Sequence, residues 1–287
     1  MKSVVACSRG LRTAIGSASM KPQPLMKRLS LFAFLLSLTS VIAEDKSATK
    51  SGSDSAAQTE QAPTQDLLPN QKAFLNLAEE RRKDFAKHLY EANRLFQQKR
   101  IFETMEQLQK AEAIFKESPE IYNLRGTCFV EIRAFDKALQ DFLSALELSK
   151  GNPSIRFNIA EVYFVTHEWQ KAADMFESVL KDLPVQGIAL SRLIEFKIML
   201  CKNKLGKKDE ALILSEKYDF LDDSPYYYYA KAALEYEANN LVKAEEWLAT
   251  ASRIFQDPNI LAPWQDTLVE YGYIKSFYGG VDQAEAQ

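Results

Sequence analysis

Residues 119–152, PEIYNLRGTCFVEIRAFDKALQDFLSALELSKGN, and residues 153–186, PSIRFNIAEVYFVTHEWQKAADMFESVLKDLPVQ, are two copies of one pattern. Gly126 matches Ala160, Phe129 matches Tyr163, Phe135 matches Trp169, Ala138 matches Ala172 and Phe142 matches Phe176, with Lys137 and Lys171 also in step. The matched positions are small or aromatic, as two closely packed helices require. A period of this size marks a solenoid, in which each unit buries its apolar face only against its neighbours. The expected fold is therefore all-α, an array of paired helices.

Within 119–148 the spacing of three and four places Tyr122, Gly126 and Phe129 on one face of a first helix. After a short turn near Arg133 and Ala134, it places Ala138, Leu139, Phe142, Ala145 and Leu146 on one face of a second. Ser118-Pro119 and Asn152-Pro153 supply helix starts, with proline where its missing donor costs nothing. Gly126, Ala138, Ala160 and Ala172 let the axes approach, and Phe142, Tyr163 and Phe176 fill the space that remains.

These residues resemble two tetratricopeptide repeats: Tyr122, Gly126, Phe129, Phe135, Ala138, Phe142 and Ala145, then Ala160, Tyr163, Trp169, Ala172, Phe176 and Pro184. Arg125 replaces the family's usual leucine, and the closing proline is missing after Leu148. Extended backward, the frame gives a degenerate unit over 85–118 with Ala92, Leu95, Ile101, Leu108 and Ala111 in register and Thr104 where alanine is usual. Extended forward, it needs about five extra residues near 185–191 before Gly206, Ala211 and Leu214 fall into place. A clearer unit follows over 225–256, with Ala232, Leu241, Ala244, Leu248 and Ala251. The resemblance thus implies an α-solenoid of about five units with flanking end helices, one from about Gln71 and one over 260–278, which would cover the exposed ends.

In that family the first helix of each unit lines the concave groove. The resemblance puts Leu89, Asn93, Asn123, Thr127, Phe157, Glu161 and Phe164 there, the asparagines to hold an extended peptide backbone and the rings to seat its apolar side chains. The family's basic clamp for acidic C-termini is not reproduced: Asn93 is present, but Leu89, Leu124, Ser154 and Asn158 stand at the other positions.

The ends of the chain read differently. Lys27-Arg28, an apolar run from Leu29 to Leu38 and then Val41-Ile42-Ala43 form a signal-peptide pattern, with cleavage expected after Ala43 and a natural start at Met26. The run of about 15 residues falls short of the roughly 20 that span a bilayer, so membrane contact is expected only through this segment if it stays uncleaved. Residues 44–70 hold no aromatic residue and are rich in Ser, Thr, Gln, Ala and Pro, the composition of a disordered linker. The domain reading is a leader over 1–43, a linker over 44–70, a helical domain over 71–280 and a flexible tail over 281–287. Without the leader, which holds six Lys or Arg and no acid, 30 basic residues face 39 acidic ones, a net charge of −9 that disfavours nucleic acid. Cys128 and Cys201 read as two buried thiols.

No catalytic constellation emerges. His88 and His167 lie too far apart for a helical metal pair and read as surface or turn residues, and no phosphate loop, nucleophile elbow or paired-cysteine motif occurs. No metal or cofactor is expected. The run Tyr226–Tyr229 must point in nearly four directions on a helix, so at least one ring is expected to be exposed while others pack between hairpins. The sequence reading is a non-enzymatic, exported bacterial scaffold, periplasmic or extracellular, that binds a protein or peptide in its groove. A self-associating structural scaffold using convex or end-helix surfaces is the alternative, and an envelope enzyme is a second of another class.

Overall fold

A computed structural model describes residues 67–184 and 186–274. All regular structure among them is helical: α1 (Pro69–Leu75), α2 (Glu79–Gln97), α3 (Ile101–Ile114), α4 (Pro119–Glu131), α5 (Phe135–Leu148), α6 (Pro153–Val165), α7 (Trp169–Asp182), α8 (Ile188–Lys204), α9 (Lys208–Ser215), α10 (Tyr226–Glu237), α11 (Leu241–Ile254) and α12 (Pro258–Tyr271). Helices α2 to α11 pack in consecutive pairs, α2 with α3, α4 with α5, α6 with α7, α8 with α9 and α10 with α11.

The turns between paired helices are one motif used five times. Lys99, Arg133, His167, Gly206 and Asn239 each adopt a left-handed backbone, with φ of 60°, 59°, 64°, 74° and 60°. They lie 34, 34, 39 and 33 residues apart; of the five-residue excess one residue lengthens the connection from α7 to α8 and four lengthen the start of α8. In every turn the next amide reaches back to the same kind of carbonyl: Arg100 to Leu95, Ala134 to Phe129, Glu168 to Tyr163, Lys207 to Lys202 and Asn240 to Glu235, all at 2.8–3.0 Å. That bond satisfies a carbonyl which a helix C-terminus would otherwise leave unpaired. Four of the five turn residues are not glycine and carry the left-handed conformation at some steric cost.

Inside the hairpins the small and aromatic positions meet as the pattern predicts. Ala138, Phe142, Ala160, Ala172 and Phe176 are wholly buried, and Tyr163 packs half-buried against them. A methyl group on Gly126 would stand 2.7 Å from the Phe142 ring, too close for any carbon pair, so bulk on α5 excludes bulk on α4. Thr104, where alanine is usual, is buried and donates its hydroxyl to Arg100 O at 2.8 Å. Arg125, where leucine is usual, makes two bonds to Asp141 and one to Glu112, at 2.8–2.9 Å, joining α4 to α5 and α3. Leu241, expected to pack, is 55% exposed, because α11 has no following hairpin to cover it.

At the N-terminal end α1 begins at Pro69 rather than Gln71. Asn70 is buried and donates to Glu117 O and Leu148 O, both at 3.2 Å, so it belongs to the fold and not to a linker. Phe74 of α1 packs edge-on against Phe85 at 5.1 Å between ring centroids and tilts against Phe115 at 5.4 Å. The expected leader, most of the linker and the tail lie outside the described residues.

The last helix departs most from expectation. α12 ends at Tyr271, where Gly272 takes a left-handed conformation with φ 92°, and its backbone comes closest to α8 and α6. It therefore lies on the row of first helices and does not extend the array. α2 meets α4, α4 meets α6 and α8 meets α10 in that row, whereas α6 and α8 approach each other less closely. α8 starts four residues earlier than the repeat requires, and α12 lies against both α6 and α8.

Candidate functional site

The left-handed turns give a common count along the first helices. Leu89, Asn123, Phe157, Phe196 and Tyr229 occupy one equivalent row, Asn93, Thr127, Glu161, Leu200 and Ala233 a second, and Phe96, Val130, Phe164, Asn203 and Tyr236 a third. Side chains in these rows share one helix face, because they are spaced three, four and seven apart.

Among the described residues no helix packs closely over this face along α2 and α4, although Phe96, Thr127 and Val130 in its rows are buried. Leu89, Asn93 and Asn123 are half-buried there. Asn93 Nδ2 donates to Leu89 O at 2.9 Å, while its Oδ1 is buried with no hydrogen-bond partner. Asn123 Oδ1 accepts from the buried Asn158 at 2.8 Å, linking α4 to α6. Thr127 is buried and donates its hydroxyl to Asn123 O at 2.8 Å, so it is a structural member of the face rather than a contact group. An acceptor left without a donor is the feature here that a passing peptide N–H could satisfy.

From α6 onward the same face is closed. Phe157, Glu161 and Phe164 are each no more than 5% exposed, so the open groove expected at these residues is not available while α12 is in place. Trp264 of α12 inserts among Phe196, Tyr226 and Tyr229, with centroids 5.3–6.3 Å away. Tyr271 stacks on Phe164 at 6.3 Å, meets Trp169 edge-on at 5.6 Å, and donates its hydroxyl to Leu200 O at 3.1 Å. Tyr273 stacks on Tyr236 at 5.2 Å and donates to Glu237 at 2.8 Å.

Beneath α12 lies a charged cluster that the sequence reading missed. Lys197 of α8 is wholly buried, bonds Glu161 of α6 at 3.0 Å, and stands 3.7 Å from Glu270 of α12, beyond hydrogen-bond reach. Its ammonium also lies 4.6 Å from the Phe164 ring centroid. Burial pulls the Lys197 ammonium down, but Glu161 and Glu270 outweigh it and leave it raised, so it is charged. Burial pushes both carboxyls up against the pull of Lys197, Glu270 to about 7 with Glu161 and Asp266 adding to its rise. Glu161 holds the ion pair and Glu270 takes the proton, since only Glu161 is within bonding distance. Glu161 Oε1 and Glu270 Oε2 are both buried without a hydrogen-bond partner. The available signal was a lysine inside the apolar run from Leu193 to Cys201, every residue of which is buried. Its partners come from helices distant in sequence, so periodicity gave no access to them.

The remaining candidates are structural. Of the four tyrosines none is exposed: Tyr226, Tyr228 and Tyr229 are buried and Tyr227 is half-buried. Trp264 covers two of them, and Trp247 with Phe255 covers the others, which corrects the expected exposed ring. His88 pairs with Gln107 at 2.9 Å, and the exposed His167 sits in a left-handed turn and stacks on Trp169 at 4.9 Å. Cys128 and Cys201 are buried and unbridged, with thiols pushed up to about 12 by burial. A notch of about 330 Å³ opens where α9 stops after 8 residues, floored by Ile198 and Leu180. Among the described residues no cluster fit to hold a metal ion occurs, and no helix is long and apolar enough to cross a membrane.

Five hairpins joined by one recurring turn, with small and aromatic residues interlocked inside them, make this an all-α solenoid of stacked helical hairpins. Two solved structures are similar in part. The crystal structure of YrrB, described as a TPR protein with an unusual peptide-binding site, is 20% identical, with a TM-score of 0.48 over 66% of this chain and 95% of that one. A structure of pilF from Pseudomonas aeruginosa is 15% identical, with a TM-score of 0.48 over 68% and 94%. No protein-family model and no curated protein matches the chain. The two structural likenesses concern the fold, and the class stands on the chain's own hairpins.

Proposed function

We propose that the chain is an exported interaction scaffold that binds a protein or peptide segment on the uncovered face of α2 and α4. One observation carries the reading: Asn93 Oδ1 is a buried acceptor with no partner, on a face that also holds the half-buried Leu89 and Asn123. With the Asn93 amide turned outward, an extended segment crossing that face would donate a backbone N–H to its Oδ1 and lay an apolar side chain on Leu89. Export, and with it a role in assembling complexes of a bacterial envelope, is supported by the basic-then-apolar pattern over 27–43. The acidic balance of the remaining chain favours protein partners over nucleic acid.

Self-association is favoured by a separate observation. The start of α11 exposes Leu241 and Val242 side by side, at 55% and 78%, an apolar spot near the array end that a second copy could cover. The test that separates the two is crosslinking in the native cell followed by mass spectrometry, with wild type beside a variant carrying Asn93→Ala, Asn123→Ala and Leu89→Ser. Loss of the crosslinked partners in the variant is expected. Unchanged partner recovery removes the α2–α4 face from consideration, and crosslinks joining α11 of two copies establish the alternative.

A further inference from the structure

α12 occupies a seat that its own sequence register does not assign to it. Asp257-Pro258 follows Ser224-Pro225 by 33 residues, the interval of the last repeat, so α12 starts where the first helix of a sixth hairpin would start. That helix would cover the end of the array. Instead α12 folds back onto α6 and α8, and Leu241 and Val242 at the start of α11 stay exposed. The helix therefore has a second place to go, reached by turning about the short connection Phe255–Asp257.

Its present seat is also imperfectly filled. Leu261, Trp264, Leu268 and Tyr271 fit an aromatic trough and are each no more than 5% exposed. Glu270, by contrast, brings a second carboxyl to a lysine already paired with Glu161, and leaves one oxygen on each acid without a donor. Without α12 the Lys197–Glu161 pair is balanced. An amide in place of the Glu270 carboxyl would carry no charge into the cluster and could donate to Glu161 Oε1, which now has no donor.

We propose that the α12 seat is an exchange site: it takes an amphipathic helix from a partner protein, bearing two aromatic residues seven positions apart and an amide immediately before the second, while α12 moves to the end of the array. The proposal rests on the reading of the chain as a protein-binding scaffold, but uses none of the residues altered on the α2–α4 face. Failure of one therefore leaves the other standing. The charges acting on Glu270 are Lys197 from α8, Glu161 from α6 and Asp266 from its own helix, while α10 presents Tyr229 and Tyr236 to α12 and its end. Protonation of Glu270 at lower pH makes α12 the better occupant and disfavours exchange.

The probe is a fluorescein-labelled peptide spanning Pro258–Ile274 with Glu270→Gln, titrated at pH 8 with three full-length proteins and read by anisotropy. Trp264→Ala, which weakens the resident helix, is expected to bind it about tenfold or more tightly than wild type. Glu270→Gln, whose own helix fits better, is expected to bind it at least about fivefold more weakly than wild type, and wild type should bind more weakly at pH 5.5 than at pH 8. Equal binding to all three proteins, or binding to none, overturns the proposal. Should Trp264→Ala lose its helical circular dichroism, wild type against Glu270→Gln decides alone: weaker binding by the variant supports exchange, and equal binding or none overturns it.

Discussion

The two halves of the first-helix face are built from equivalent positions and have opposite fates. Asn93 and Thr127 in the first half correspond to Glu161, Leu200 and Ala233 in the second, yet α2 and α4 keep an uncovered face while α6, α8 and α10 lie under α12. The difference comes from two features outside the repeat pattern. α8 starts four residues earlier than the repeat requires, and large aromatic side chains at Phe164, Phe196 and Tyr229 give this half of the face a surface that water would penalise. Equivalent positions in a repeat thus share a direction but not an environment.

The change expected to break this contrast most severely is Trp264→Ala. Removing a side chain 4% exposed should cost roughly 3–5 kcal/mol by urea denaturation, as lost transfer energy plus a cavity. Solenoid stability is a sum over neighbouring units, so hydrogen exchange in α2–α5 should change little. Loss of protection there equal to that in α8–α12 would show that the halves are one cooperative block.

Next in size is Ala138→Leu in the first half. Ala138 is wholly buried against the Phe142 layer, so overpacking should cost roughly 1–3 kcal/mol. A thermal melt with no loss of stability would contradict the helix packing described for α4 and α5.

The charged cluster gives a pH-dependent test confined to the second half. Glu270 rises from an ordinary 4.5 to about 7 when α12 is docked, so the docked state binds the proton more tightly than the released one. This contribution is fully present below pH 4.5 and is lost as pH rises through about 7. Glu270→Gln should remove that slope and stabilise the protein at pH 8 by about 1 kcal/mol or more, with little gain near pH 5. Identical pH profiles for the two proteins would mean that Glu270 stays ionised in its seat.

Smallest of all should be Arg133→Gly in the second turn of the array. Relief of a left-handed backbone is offset by the greater freedom of glycine in the unfolded chain and by loss of the contact between Arg133 and the Phe135 ring, 5.2 Å away. The net change in denaturation midpoint should correspond to less than about 0.5 kcal/mol. A loss above about 1 kcal/mol would make the arginine side chain, not the turn, the stabilising element.

Local pattern was enough for the hairpins. Gly126, Ala138 and Phe142 touch within one hairpin, their spacing follows directly from helical geometry, and the recurrence at 34 residues made them legible without a structure. The five-residue excess was legible as well, as a break in register. The docking of α12 over α6 and α8 was not, because its contacts join residues far apart in sequence. For the same reason Phe157, Glu161 and Phe164 were readable as members of the first-helix face but not as covered ones.

Order along the chain therefore settled that this protein is an array of five helical hairpins, since every contact that defines a hairpin joins residues close in sequence. Tertiary structure alone decided which part of the array stays uncovered. That outcome depends on Trp264 and Tyr271 of α12 meeting Phe164, Phe196 and Tyr229, which stand on helices far apart in sequence. The burial of aromatic surface that fixes its place is a property of the assembled chain.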